Sequence, residues 1–258
     1  MNKKKLIIIL LVIVLVIGIS YAFIKLFDFE GSEEEIYRNN IEVTEEEIHE
    51  LYSYLLKDNS LEFEAMHSNH YSSNSNISNY VKKSMIYQYL LNYDPSSLET
   101  LTQEELTAAL PNSTNYTPLY KISTTKIEET LYILFGPDAT INDGDFDYSR
   151  SIKGSWQGDY YYIYDTLDQS ETNFIEFKNM TRYSVSESEV IIYDYYLKCD
   201  TITNRCYNDE RRASINNSIT YSSNFDINNY LNDLVTYEHV FKYNTDTREF
   251  YWYSSQVA

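Results

Sequence analysis

Four histidines, His49, His67, His70 and His239, are the side chains in this chain best suited to metal or acid–base chemistry. His67 and His70 form the motif HSNH, with Glu62 and Glu64 just upstream. On a helix, positions i and i+3 share a face and can hold a divalent ion. The stretch 67–79 is rich in Ser and Asn, so it reads instead as a polar loop carrying two solvated histidines. No His-Glu-x-x-His motif occurs. A second cation candidate is GPDATINDGDFD, residues 136–147. A calcium loop needs oxygen ligands at alternate positions and glycine at the sixth. With Asp138 as the first position, Asp143 falls where glycine is required, Gly144 comes one place late, and Ser149 stands where a glutamate should close the loop. The register fails, and the segment reads as a plain connection. No metal site and no cofactor follow from the sequence.

Nucleophilic chemistry finds little support. There is no Gly-x-Ser-x-Gly elbow. Six glycines in the whole chain supply no phosphate-cradling loop. GSWQG, residues 154–158, has Trp156 at its centre and reads as a turn leading into a strand. A pair of carboxylates for glycosidic hydrolysis can always be found among 39 acidic residues, so its presence says nothing. No catalytic residue is assigned, and the balance leans away from an enzyme.

The aromatic residues offer a different chemistry. The chain holds 28 tyrosines, and GDYYYIYD at residues 158–165 places four of them in five positions. In a strand, Tyr160, Tyr162 and Tyr164 point one way, and Tyr161 and Ile163 the other. Trp156, Tyr160, Tyr162 and Tyr164 are the candidate binding surface, because aromatic faces stack on sugars or insert into partner interfaces. The plainer reading is that tyrosine suits strands, pairing across them while its hydroxyl reaches water. High Tyr, Asn and Ile together also match the codon bias of an AT-rich bacterial genome. Which reading holds depends on which face of the sheet the helices cover.

Two cysteines, Cys199 and Cys206, bracket a short segment and suggest a disulfide in an oxidising compartment. The net charge of −19 argues against nucleic-acid binding, since no basic stripe offsets it. The start of the chain sets the expected compartment. Lys3, Lys4 and Lys5 precede residues 6–24, which carry no charge. As a helix that run spans roughly 28 Å, close to the hydrocarbon thickness of a bilayer. The lysines place the N-terminus in the cytoplasm and the C-terminal domain outside. The rival reading is a signal peptide cleaved after Ala22, with Ser20 and Ala22 as the small residues at the cleavage site.

The expected organisation is residues 1–27 as cytoplasmic tail and transmembrane anchor, 28–43 as an acidic stem, and 44–258 as an extracytoplasmic domain. Residues 44–137 read as mainly helical. Thr44/Glu47, Thr102/Glu105 and Thr125/Glu128 each spell a capping box, Ser78 caps the helix carrying Val81, Met85 and Tyr89, and Gly136 before Pro137 suits a left-handed helix end. From residue 154 the apolar period changes to two. Strands are expected in QGDYYYIYDTL, TNFIEFKNMTRYSV, EVIIYDYYLKCD, YEHVFKYN and REFYWYSS. Polar turns at 168–170, 186–188 and 244–247 read as hairpins. A helix capped by Asp226 interrupts them, with Ile227, Tyr230, Leu231 and Leu234 toward the core. Helices followed by a meander give an α+β domain, with a twisted antiparallel sheet packed on the helices. A cone-like fold of the cystatin or nuclear-transport-factor type fits by analogy.

The layout resembles a group of uncharacterised single-pass bacterial surface proteins. The likeness lies in the lysine start and apolar run, helices ending in ILFGPDA, a strand meander, and the closing VTYEHVFKYNTDTREFYWYSS. It implies a location and no activity. The expected function is therefore a membrane-anchored, extracytoplasmic binding or interaction module of a bacterial envelope, with a cell-wall polymer or another envelope protein as partner. An envelope hydrolase acting on a wall polymer, or an assembly partner of another membrane protein, stays open beside it.

Overall fold

The computed structural model describes residues 43–53, 66–68, 70–149, 151–168, 173–209 and 212–258. The expected anchor, the cleavage site after Ala22, the stem up to residue 42, Glu62 and Glu64, and part of the 168–170 turn lie outside the described residues. Among the described residues no helix is long and apolar enough to cross a membrane.

The fold is α+β, with every strand pair antiparallel. Helix α1 (Glu45–Tyr52) opens with the expected capping box, the Thr44 hydroxyl accepting from Glu47 N–H and the Glu47 carboxylate accepting from Thr44 N–H. Strand β1 (Ser72–Ser73), helix α2 (Asn79–Tyr93) and strand β2 (Glu99–Thr100) follow. Helix α3 (Gln103–Ala109) carries the second expected box, Thr102 with Glu105. Strand β3 (Thr117–Ser123) runs directly into helix α4 (Thr124–Phe135). The cap of α4 is Ser123, which accepts from Lys126 N–H, rather than the expected Thr125. Thr124 binds the Gly158 and Asp159 carbonyls, which fixes the helix start earlier than its sequence suggests.

The strands divide into two sheets where one was expected. The smaller has the order β2, β3, β6 (Tyr160–Asp165), β5 (Ile152–Gln157), β4 (Phe146–Asp147). The larger contains β7 (Phe174–Val185), β8 (Glu189–Asp200), β9 (Arg205–Tyr207), β10 (Ile215–Thr220), β11 (Thr236–Asn244) and β12 (Glu249–Val257), with β1 beside β12 and β7 beside β8. The turns at 186–188 and 244–247 close hairpins as expected, because their flanking strands pair. The 168–170 turn does not: β6 and β7 belong to different sheets. GSWQG is also corrected. Residues up to Gln157 form β5, and only Gly158 (φ 75°) and Asp159 make the turn, since Gln157 already pairs with Tyr160.

One apolar core joins α1, α2, α4 and both sheets, through Ile48, Ile86, Leu134, Tyr161, Ile192 and Trp252 among others. Helix α2 is buried almost all round, beyond the single stripe its sequence suggested. Lys82, Lys83, Ser84 and Gln88 are as buried as Val81 and Met85. A second, smaller core lies around Leu197, Ile219 and the Cys199–Cys206 disulfide. The cysteines face each other in the β8–β9 pair, so sheet register brings them together. The segment capped by Asp226 is a 3₁₀ helix, Ile227–Asp233. Ile227, Tyr230 and Leu234 lean on the second core as expected, whereas Leu231 is 49% exposed.

Gly136 ends α4 at φ 79° and ψ −179°, an extended positive-φ conformation open essentially to glycine alone, not the left-handed one expected. The Tyr251 ring lies where a Cβ would stand.

Candidate functional site

Cross-strand register decides the faces of the smaller sheet. Tyr161 pairs with Ile122 and Trp156, and Ile163 pairs with Tyr120. Tyr161, Ile163 and Ile122 are buried in the main core, so the helices cover this face. Tyr160, Tyr162 and Tyr164 therefore stand on the other face, each partly exposed. Trp156 does not join them. It shares the Tyr161 face, at the end of β5, and is 37% exposed there. The candidate surface splits into a three-tyrosine face and a lone indole on the reverse side.

The outer face gains members that the sequence did not point to. Tyr116 stacks on Tyr164 with ring centroids 5.3 Å apart and planes 11° off parallel. Lys121, opposite Tyr162 in β3, holds its ammonium over the Tyr160 ring at 5.5 Å. It also pairs with Glu105 at 2.8 Å and Glu99 at 3.7 Å, which ties α3 to the rim of this face. Lys153, opposite Tyr164, pairs with Asp147 at 3.1 Å. Among the described residues nothing hydrogen-bonds or stacks on the Tyr162 ring. The result is a row of rings flanked by two ammonium groups and their carboxylates, a surface suited to stacking and to hydroxyl hydrogen bonds.

The acidic loop of residues 136–147 is occupied from within. Lys82 donates to the Thr140 carbonyl at 2.9 Å, and Lys83 to the Gly144 carbonyl at 2.6 Å. Burial lowers both ammonium pKa values, and for Lys83 the nearby Asp143 and Asp145 oppose that shift. Two lysines of α2 thus tie this loop to the helix. Burial, then Asp143 and Asp145, pushes the Tyr161 phenol up to about 12.

A second constellation lies inside the larger sheet. Asp194 is completely buried. His67 Nε2 is 2.8 Å from its Oδ2 and His239 Nε2 is 2.9 Å from its Oδ1. The Tyr52 hydroxyl donates to Oδ2 at 3.3 Å. Burial alone would raise the Asp194 pKa; the charges and hydrogen bonds of His67 and His239 together outweigh it and hold the carboxyl below its ordinary range. His67 stacks on Tyr196 at 4.6 Å and meets Tyr237 and His239 edge-on. His239 Nδ1 is 2.7 Å from Ser255 Oγ, which also accepts from Trp252 Nε1 at 2.9 Å.

A bulge makes the last contact possible. In a regular strand, residues three apart face opposite sides. In β12 the register shifts, so that Trp252 pairs with Phe241 but Ser254 pairs with Val240. Tyr253 is the extra residue, and Trp252 and Ser255 consequently both face the core. β1 pairs with β12 at Ser254 and Ser255, a few residues after His67.

Ser255, His239 and Asp194 form a chain with the connectivity of a nucleophile, base and orienting acid. The arrangement does not support acyl transfer. Ser255 is 1% exposed and His239 and Asp194 are fully buried, which leaves no approach for a carbonyl. The Ser255 oxygen is also held by the indole N–H. His67, Asp194 and His239 do bring three ligand-type atoms within 4.8 Å of one another.

Comparison with protein-family models, curated proteins and solved structures returns no match.

The buried cluster corrects the reading of HSNH as two solvated histidines. His70 is exposed, but His67 is 1% exposed. Its partners lie on β8 and β11, far away in the chain. One signal was present in the sequence. Asp194 alternates with Ile192 and Tyr196, and His239 with Phe241, so both sit at positions a strand would turn inward. A carboxylate and an imidazole in such positions need partners.

Proposed function

We propose that this chain is a membrane-anchored, extracytoplasmic binding module of a bacterial envelope, and that it takes a cell-wall polymer on the outer face of its smaller sheet. The observation that carries the reading is the partial exposure of Tyr160, Tyr162 and Tyr164 on the face turned away from α2 and α4, with Tyr116 stacked at one end. Aromatic rows bind sugars by stacking on the apolar faces of the rings, while neighbouring lysines and carboxylates bind hydroxyl or anionic groups. The uncharged run 6–24 after three lysines supports the anchor. The buried position of the Ser255–His239–Asp194 chain favours binding over hydrolysis.

Two measurements test this. Full-length protein should be retained on purified cell wall, and equal recovery in the unbound fraction with and without wall material would reject the ligand. Cell fractionation should leave the chain in membranes, and a soluble form beginning at Phe23 would reject the anchor.

A further inference from the structure

We propose that His67, Asp194 and His239 form a binding site for one divalent transition-metal ion of the zinc class. Both imidazoles aim Nε2 at the same carboxylate, one at each oxygen. The three ligand atoms lie within 4.8 Å of one another. Tetrahedral ligands about 2.0–2.1 Å from zinc stand roughly 3.4 Å apart, so binding would part the ligating oxygen from its own imidazole by about half an ångström and draw the more distant ligand pair together from within 4.8 Å. Two nitrogens and one oxygen suit zinc-like ions and not calcium or magnesium, which need all-oxygen sets.

The surroundings match what orients a metal-bound imidazole. Such a ring uses its second nitrogen to donate to a fixed acceptor. For His239, Nδ1 lies 2.7 Å from Ser255 Oγ, which can accept from it and is itself held by Trp252. One of the two proton placements open to Ser255 suits a metal ion. The indole can only donate, so it occupies one lone pair of Ser255 Oγ. The hydroxyl proton of Ser255 has Met66 Sδ as an acceptor at 3.6 Å. When the proton lies there, His239 Nδ1 donates to the second lone pair. His239 Nε2 then faces Asp194 Oδ1 across 2.9 Å and needs a positive centre between them. An imidazolium proton can fill that place, and so can a metal ion.

Energetics separate the two. Removing one acid and two bases from water for a proton network alone is costly, and apolar side chains of similar volume usually do as well or better. Metal binding adds its own free energy to folding. Tyr52, donating to Asp194 Oδ2, would fix the carboxylate, and a water would complete the coordination.

The test uses the full-length chain in detergent, stripped with a chelator and titrated with Zn²⁺ and with Co²⁺. The expected result is one equivalent bound per chain, a rise in Tm on Zn²⁺ addition, and visible bands of tetrahedral Co²⁺. Asp194→Asn should weaken binding about 100-fold or more, while a His49→Ala/His70→Ala variant should bind as wild type does. Absence of stoichiometric uptake by the wild-type chain overturns the proposal, with no dependence on how any variant folds. Uptake unchanged in His67→Gln/His239→Gln overturns it as well.

Discussion

Trp156 and Tyr162 stand on opposite faces of the same antiparallel sheet. Register shows it: Trp156 pairs with the buried Tyr161, and Tyr162 with Lys121 on the outer side. The two rings cannot contact one flat ligand together. If the outer face binds wall polymer, Tyr162→Ala should weaken retention by about 1 kcal/mol, or roughly fivefold. Trp156→Ala should leave retention near the wild-type level. Pull-down of both variants on purified wall decides it, and an equal loss in both would place the surface elsewhere.

Gly136 resists a side chain on two counts. Its backbone lies in a region that excludes other residues, and a Cβ would come within 2.4 Å of the Tyr251 ring. Gly136→Ala should destabilise the domain by roughly 2–4 kcal/mol, from backbone strain and overpacking together. Urea unfolding of the two proteins measures this. A variant as stable as wild type would show that α4 and β12 do not meet as described.

Glu105 gives the acid limb of stability a specific source. Its pKa falls from 4.5 to about 2, chiefly through its bond with Lys121 and then through the Thr102 backbone and hydroxyl. The folded chain holds this proton more weakly than the unfolded one does. The stabilisation is therefore complete above about pH 4.5 and is lost as pH falls through about 2. Glu105→Gln should flatten that part of the stability–pH curve, and added salt should shrink the difference between the two proteins. Superimposable curves would contradict it.

The Cys199–Cys206 disulfide closes a short loop and is itself part of the second core. Replacing both cysteines by serine should cost about 2.5 kcal/mol by the chain-entropy argument. Peptide mapping without reductant should recover the two cysteines linked. Free thiols in protein isolated from outside the cytoplasm would refute the pairing.

Signals that act locally are legible in the sequence. The boxes Thr44/Glu47 and Thr102/Glu105 form because each is complete within four residues. β7, β8, β11 and β12 appear where alternation is long. β3 is hard to see in the sequence because its seven residues lie between two helices, and β5 because its Gly and Trp mimic a turn. At α4, Ser123 displaces Thr125 because bonds to the distant β5–β6 turn set the start. The three-tyrosine face was legible as a face, but its exposure was not, since that depends on where α2 and α4 pack. The buried cluster was legible at Asp194 and His239, as polar residues on inward positions. It was illegible at His67, whose burial follows from a two-residue strand and a bulge at Tyr253.

The lysines of α2 have a further consequence. Acidic loops commonly take their order from dissolved calcium and lose it when calcium is scarce. Here the ammonium groups that hold the loop are covalently part of the chain, Lys82 at the Thr140 carbonyl and Lys83 at the Gly144 carbonyl. The connection between the two halves of the fold is thus tied to α2 by bonds that involve no dissolved ion.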